Sequence, residues 1–173
     1  MARGTRFGFL LPMGSYGDCA RVANKAESLK IDSLWVYDDL HGFPREEVLD
    51  PLTTWAAMAQ ATKSAKLGSC VIAIQRHHPV TLSKALASID WISGGRAIVG
   101  IGAGGFDENY GFPESAKPVG RMVEAIEVMK ALWAQDRVDY AGLYYKLKGA
   151  SLAPKPLQKP HPPIWLGANS PGT

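Results

Sequence analysis

Residues 89–105, IDWISGGRAIVGIGAGG, contain a helix end, its stop signal, a strand and a glycine-rich segment in direct succession. The helix is predicted to begin at His78-Pro79 and to end at Gly94-Gly95, because proline favours the first helical turn and glycine favours the end. The apolar face of this helix is predicted to consist of Leu82, Leu86, Ile89 and Ile92. The short apolar run Ala97–Ile101 predicts a buried strand. A helix that leads directly into a buried strand is typical of parallel α/β folds.

The same alternation of strand and helix signals extends outward from this stretch in both directions. The predicted core strands are Phe7–Leu11, Ser33–Tyr37, Lys66–Ala73, Ala97–Ile101 and Ile164–Gly167. The other predicted helices are one capped by Asp18, one that begins at Asp50-Pro51, and one that buries Met122, Ile126, Met129 and Trp133. A small hairpin is predicted over residues 138–147, before the proline-rich residues 153–163.

Two architectures fit this order of elements. A doubly wound sheet of five strands would be complete within 173 residues. An eight-stranded (β/α)8 barrel typically needs about 250 residues, so this chain would supply only about its first five strands. Periodicity does not choose between the two, because both alternate parallel strands with helices.

The composition narrows the class of protein. The formal net charge is +3 and no dense Lys/Arg cluster with interleaved aromatics is present, which argues against nucleic-acid binding. Cys19 and Cys70 are isolated, so they match neither a disulfide framework nor a zinc pattern and indicate a reducing compartment. No stretch approaches the roughly 20 apolar residues of a membrane span, and the run Phe7–Leu11 is too short for a signal peptide. We therefore expect a cytoplasmic protein with no metal site.

The segment Gly100–Gly105 satisfies the GxGxxG pattern of dinucleotide-binding folds, but its context does not. A turn-rich sequence follows it instead of a helix, and the acids about 20 residues further on lie inside a predicted helix, so we reject NAD binding. The backbone N–H groups of Gly102-Ala103-Gly104-Gly105 can nevertheless cradle a phosphate. Gly167-Ala168-Asn169-Ser170 offers a second small-residue segment after another strand. The alternative is a tight turn that needs glycine only for its dihedral angles.

Several segments, taken together, resemble one family. They are Trp35–His41, Ile92–Gly104, Arg121–Trp133, Gly142–Tyr145 and Pro162–Pro171. In this order and spacing they resemble the luciferase-like flavin monooxygenases and their deazaflavin-dependent relatives. Those relatives include methylenetetrahydromethanopterin reductases and glucose-6-phosphate dehydrogenases. The resemblance covers nearly the whole chain.

The resemblance implies a TIM-type (β/α)8 barrel and disfavours the doubly wound sheet. It implies that residues 1–173 are the N-terminal portion of one luciferase-like domain, with an insertion at about 103–162 between the fourth and fifth strands. The chain would then be a fragment of a longer enzyme, or it would complete its barrel by association. Members of the family are often homodimers.

The resemblance also implies a cofactor-binding position in the third strand. In the family the cofactor ring stacks against a bulge that is often held by a non-prolyl cis peptide. The matching residues are Ser69, Cys70 and Val71, and Cys70–Val71 is the candidate bond. Without the resemblance, Cys70 would be interpreted as a small buried apolar residue.

Three residues after the second strand are the candidates for catalysis. Asp38 and Asp39 end the strand where barrel enzymes hold their chemistry, but adjacent strand residues point to opposite faces and cannot simply form a carboxylate pair. Deazaflavin-dependent relatives commonly have His where this chain has Asp39. His41 is the candidate substitute, because its side chain titrates near neutrality. Residues 76–78, Arg-His-His, are further candidates to line the mouth, unless they cap the next helix or face solvent.

The expected reaction is hydride transfer with coenzyme F-420, an 8-hydroxy-5-deazaflavin, or monooxygenation with FMN, on a small organic substrate. Phe43 stands where sugar-phosphate-oxidising relatives have Trp, and Gly105 where they have Glu, which argues against a sugar phosphate. Two other functions stay open. The chain would be a non-catalytic flavin-binding subunit that needs a partner, or a complete flavodoxin-like electron-transfer protein.

Overall fold

The computed structural model describes residues 5–41, 47–104, 110–112 and 117–168. Its strands are β1 Gly8–Leu10, β2 Ser33–Val36, β3 Lys66–Ser69, β4 Ile72–Ala73, β5 Ala97–Gly102, β6 Val138–Ala141, β7 Lys146–Ala150 and β8 Ile164–Leu166. Its helices are α1 Tyr16–Ser28, α2 Pro51–Ala61, α3 Pro79–Ser93 and α4 Pro118–Ala134, with a 3₁₀ turn at Ile74–Arg76. None of the helices in these ranges is long and apolar enough to cross a membrane.

The main sheet is parallel, and its strands follow one another in chain order. β1 pairs with β2, β2 with β3, β3 with β5, and β5 with both β4 and β8. β3 and β4 together form the predicted third strand. A doubly wound sheet would reverse its strand order at a switch point, so that alternative is wrong. The strands have the arrangement of the first five in a (β/α)8 barrel, and the barrel is not closed within the described residues.

The predicted third strand, Lys66–Ala73, is interrupted in its middle. β3 ends at Ser69, the Cys70–Val71 peptide bond is cis as predicted, and β4 begins at Ile72. The Ser69 hydroxyl donates to the Gly100 carbonyl at 2.8 Å and accepts from the Gly100 N–H at 3.0 Å. These two hydrogen bonds hold the end of β3, directly before the cis peptide, against β5. The expectation of one continuous strand is therefore corrected to two short strands separated by a bulge.

Helix boundaries follow local signals before and after each helix. Ser15, and not Asp18 as predicted, caps α1, because its hydroxyl oxygen accepts from the Asp18 N–H at 3.1 Å. The Asp18 carboxylate lies in the first turn instead, where the helix dipole favours a negative charge. α2 and α3 begin after Asp50 and His78, as predicted. Gly94 ends α3 at φ 66°, a left-handed conformation that suits glycine.

The core lies between the outer face of the sheet and the helices. Its largest fully buried side chains include Leu34, Trp55, Met58, Leu67, Leu82, Leu86, Ile101 and Met129. The residues predicted to face inward from α4 do so: Met122, Met129 and Trp133 are buried, and Ile126 packs half-buried against them. In α3 the prediction fails at Ile92, which is 40 % exposed. The buried stripe continues from Ile89 through Asp90 and Ser93, as the period of 3.6 residues requires.

The concave face of the sheet holds two tryptophans, one of which packs against glycines. Trp35 on β2 and Trp165 on β8 lie with their ring centroids 5.1 Å apart. A Cβ on Gly8 would come within 2.5 Å of the Trp35 indole nitrogen, and a Cβ on Gly68 would overlap the same ring. Contact between the second and the fifth core strands shows that the sheet curves strongly, as a barrel wall does.

The segment between β5 and β8 is attached to the helices by buried carboxylates. Glu124 of α4 accepts from the Tyr144 N–H at 2.6 Å, inside the turn of the β6–β7 hairpin. Fully buried Asp90 of α3 accepts from the backbone and side-chain N–H groups of Gln158 at 2.8 and 2.7 Å. The hairpin predicted at 138–147 is confirmed, with β7 extending to Ala150. These contacts lead the chain back toward β8.

Arg96 connects the ends of two helices to the start of β3. Its guanidinium donates to the carbonyl oxygens of Ala59, Thr62, Ala65 and Ser93 and to the Thr62 hydroxyl, at 2.6–3.0 Å. The carbonyl groups at the end of a helix have no partner within the helix, so a cation with several donors is well suited to them. The interaction fixes α2 and α3 relative to the sheet.

Glu27, in the last turn of α1, holds the turn before β3. Its carboxylate accepts from the N–H groups of Lys63, Ser64 and Ala65 and from the Ser64 hydroxyl, at 2.6–2.9 Å. Desolvation would raise the pKa of Glu27, but these hydrogen bonds outweigh it and lower the pKa to about 2. The charged form is therefore the one that stabilises the fold.

We expect Arg96→Lys to lower the free energy of unfolding by roughly 2–4 kcal/mol, because a single ammonium cannot replace the planar donors and leaves carbonyl oxygens without partners. Urea denaturation followed by circular dichroism measures the loss. Arg21→Lys, at an exposed pair with Asp18, is the matched control and should change stability little. An equal effect of the two substitutions would contradict the role of Arg96.

We expect Glu27→Gln to remove a pH-dependent part of the stability. The pKa of Glu27 is depressed from 4.5 to about 2, so its contribution is present above pH 4.5 and is lost as the pH falls toward 2. At pH 7 the substitution should cost about 1–2 kcal/mol, allowing for solvent screening. Urea denaturation at pH 7 and pH 3 should show a smaller difference between wild type and variant at pH 3. A constant difference would contradict this assignment.

Candidate active site

The predicted site segments lie at one edge of the sheet, where its parallel strands end. Asp38 and Asp39 follow β2, the bulge Ser69–Val71 follows β3, Gly102–Gly104 ends β5, and Gly167-Ala168 follows β8. This is the carboxyl-terminal edge, at which barrel enzymes hold their active sites. Phe43, Gly105, Asn169 and Ser170, which were also considered for the site, lie outside the described residues.

Val71 joins three of these segments by direct contact. A Cβ on Gly102 would lie 2.6 Å from a Val71 methyl carbon, and a Cβ on Gly167 would lie 3.0 Å from the other. Gly104, at φ 82°, is packed against the Gln75 side chain, where a Cβ would overlap it. The bulge, the end of β5 and the end of β8 therefore meet at one point. Gly102–Gly104 and Gly167-Ala168 lie beside this point.

A cavity of about 630 Å³ opens on the concave face beside this point. The cavity extends along the whole concave face, from Arg6, Asp32 and Lys66 at the amino-terminal edge to Cys70, Val71 and Gly167 at the carboxyl-terminal edge. The Cys70 thiol is free and exposed, in contrast to the buried residue that an isolated cysteine suggests. The Ser69 side chain is buried and bonded to β5, so it shapes the bulge, while the Cys70–Val71 pair borders the open space.

The Asp38 carboxylate is buried, with 5 % of its side chain exposed. Oδ2 accepts from the Ala73 N–H at 2.9 Å and lies 3.0 Å from Nε2 of His77, and Oδ1 accepts from Nη1 of Arg76 at 2.9 Å. Burial would raise the pKa of Asp38, but the bonds from His77, Ala73 and Arg76 together hold it below its ordinary value. Asp38 is therefore ionised at neutral pH, with three hydrogen bonds on its two oxygens.

Asp39 and His41 have different surroundings from Asp38. The Asp39 side chain is 42 % exposed, accepts from the Leu40 N–H at 2.8 Å and lies 3.9 Å from Nη2 of Arg76. Within the described residues neither aspartate caps a helix, and the two do not bond to each other, in agreement with their opposite directions from the strand. His41 is exposed at the border of the undescribed residues 42–46.

The sequence indicates Arg76, His77 and His78 as candidates to line the mouth, but it does not pair them with Asp38. In the structure these three residues have different partners. Arg76 and His77 bind the Asp38 carboxylate, whereas His78 caps α3 and packs edge-on against Tyr145 at 5.7 Å. The pairing can be predicted from strand order. A carboxylate follows the second strand and two basic side chains follow the third, and these strands are neighbours in a barrel.

The sequence model that describes the luciferase-like monooxygenase family matches residues 2–173 of this chain. The chain is 32% identical over 163 residues to the F420-dependent glucose-6-phosphate dehydrogenase of Kineococcus radiotolerans, covering 90% of this chain and 48% of that protein. It thus spans about half the length of the curated relatives it matches.

Two solved structures are similar over nearly the whole chain. The monooxygenase RslO1 from Streptomyces bottropensis superposes with a TM-score of 0.84 at 26% identity, over 94% of this chain and 53% of that one. An F420-dependent secondary alcohol dehydrogenase in complex with an F420-acetone adduct gives a TM-score of 0.82 at 25% identity, over 95% of this chain and 52% of that one. The resemblance inferred from the sequence is confirmed, and the chain belongs to the luciferase-like monooxygenase family.

Proposed function

We propose that this chain supplies the cofactor-binding strand ends of an oxidoreductase that uses coenzyme F-420 for hydride transfer to or from a small organic substrate. The observation that carries the proposal is the meeting of the Cys70–Val71 bulge with Gly102 and Gly167 beside an open cavity. Similarity to two F420-dependent dehydrogenases supports this coenzyme over FMN, which stays the competing cofactor.

The residues fit such a cofactor in shape. At the carboxyl-terminal end of the open concave face, the exposed Cys70 and the half-buried Val71 offer a surface against which a flat ring can pack. The Gly167 N–H already donates to the Ile101 carbonyl at 2.8 Å. The backbone N–H groups of Ala103, Gly104 and Ala168 are therefore the ones that would face the phosphate. The coenzyme, when bound, would supply the hydride chemistry, and the protein would orient it.

The identity of the substrate is the finer part of the proposal. Phe43 and Gly105 stand in place of the Trp and Glu of sugar-phosphate-oxidising relatives, so we propose a small alcohol or its ketone rather than a sugar phosphate. Ionised Asp38 and exposed Asp39 add negative charge to the strand-end edge, and Arg76 compensates for it in part. This charge balance is better matched to a neutral substrate than to a dianion.

Association that completes the barrel is part of the proposal. The open edges of the sheet carry apolar side chains that are more than half exposed, namely Phe7, Phe9, Trp165 and Leu166. Exposed apolar side chains at sheet edges favour contact with protein. A homodimer or a second chain would cover them. The competing function is a non-catalytic flavin-binding subunit, which the presence of Asp39 in place of the relatives' His favours.

The experiment that tests the function is a titration of the purified chain with F-420 and, separately, with FMN, with the absorbance spectrum and the mass in solution recorded together. F-420 binding, followed by its reduction with 2-propanol but not with glucose 6-phosphate, is the expected result. Retention of either cofactor without turnover, even in associated chains, would favour the subunit. Binding of neither would overturn the proposal.

We expect Gly102→Ala to weaken cofactor binding at least tenfold, because its Cβ would lie 2.6 Å from Val71 and displace the bulge. Fluorescence titration with F-420 measures the dissociation constant. Gly17→Ala, in α1 where a Cβ would meet nothing within 4 Å, is the matched control and should bind normally. Normal binding by Gly102→Ala would remove the end of β5 from the cofactor site.

A further inference from the structure

The hydrogen bond between Asp38 and His77 fixes which ring nitrogen of the histidine carries the proton. An ionised carboxylate only accepts hydrogen bonds, and Asp38 Oδ2 lies 3.0 Å from Nε2 of His77. Nε2 must therefore be the protonated nitrogen. In the neutral ring Nδ1 is then the basic nitrogen with a free lone pair.

The surroundings of His77 leave Nδ1 available. Among the described residues, the hydrogen bond of the ring is the one from Nε2 to Asp38. The side chain is 19 % exposed, so the described residues do not enclose the ring completely. The residue lies directly after the 3₁₀ turn Ile74–Arg76, whose Gln75 packs against Gly104 at the end of β5. His77 thus belongs to the same edge as the proposed cofactor site.

We propose that His77 is the proton acceptor of this site and that Asp38 is its positioning residue. The proposal rests on the proposed function. In the oxidation of an alcohol, the substrate O–H bond breaks and its proton goes to Nδ1 of His77. The C–H bond of the carbon that bears the hydroxyl group would break, and its hydride, with both electrons, would be taken up by the coenzyme. The substrate leaves as a ketone, and the coenzyme is reduced by two electrons.

The aspartates are less suited to this role than His77. Asp38 already accepts three hydrogen bonds and is stabilised as the anion, so it binds a proton poorly near neutral pH. Asp39 is exposed beside the Arg76 guanidinium. The arrangement in which a carboxylate sets the tautomer of a histidine, whose second nitrogen exchanges a proton, recurs in unrelated enzymes. It would supply here the group that relatives place at the position of Asp39.

The first test is independent of any coenzyme. Long-range proton–nitrogen correlation spectra distinguish the two neutral tautomers of a histidine, and comparison with His77→Gln assigns the signals of His77 among the four histidines. At pH 8 we expect His77 in the Nε2–H form in wild type, and a mixture of both forms in Asp38→Asn. The Nδ1–H form in wild type would overturn the proposal, whether or not Asp38→Asn folds.

The second test uses the full chain with F-420 and 2-propanol. His77→Gln keeps a donor toward Asp38 but cannot take up a proton, so kcat should fall at least about 100-fold while the Kd for F-420 stays unchanged. His78→Asn is the matched control, because Asn also caps a helix and the residue is adjacent, and it should keep both values. Full turnover in His77→Gln would overturn the proposal and leave the proposed function intact. Absence of turnover in wild type, with the expected tautomer, would instead reject the proposed function and retain His77 as the basic group of the edge.

Discussion

The close approach of the bulge to β5 is the steric constraint on which the strand-end site depends. A Cβ at Gly100 would overlap the Ser69 carbonyl oxygen, and a Cβ at Gly102 would press on Val71. Because these positions lack side chains, the bulge packs directly on the backbone of β5. The glycine pattern that imitates a dinucleotide fingerprint therefore has a packing cause at Gly100 and Gly102, and a dihedral cause at Gly104, where φ is 82°.

The amino-terminal edge of the sheet carries stabilising contacts, and the carboxyl-terminal edge carries the residues of the candidate site. Arg96, before β5, and the turn held by Glu27, before β3, lie at the amino-terminal edge and bind helix and loop carbonyl or N–H groups. The opposite edge carries the bulge, Asp38 and the ends of β5 and β8. This separation, which is general in barrel folds, lets the stabilising network stay constant while the residues of the other edge change.

The sequence predicts the elements of this fold well because each depends on local signals. Apolar runs bounded by glycine locate the strands, and Asp50 and His78 locate two helix starts. The exceptions are also local: Ser15 competes with Asp18 for the cap, and the stripe of α3 passes through Ser93 rather than Ile92. The pairing of Asp38 with residues almost forty positions later is different in kind. It depends on which strands are neighbours, and a single sequence leaves that open between two architectures.

The Asp38 carboxylate with its two basic neighbours has a consequence for how this protein can diverge. Loss of Arg76 would leave the buried Asp38 charge with fewer donors. Loss of Asp38 would remove the carboxylate that lies 2.9 Å from a guanidinium whose side chain is only 9 % exposed. Changes at positions 38, 76 and 77 are therefore energetically coupled and not additive. A protein in which only one of these residues is replaced is expected to be less stable than one in which they are replaced together. Substitutions at the three positions should therefore occur together among homologues.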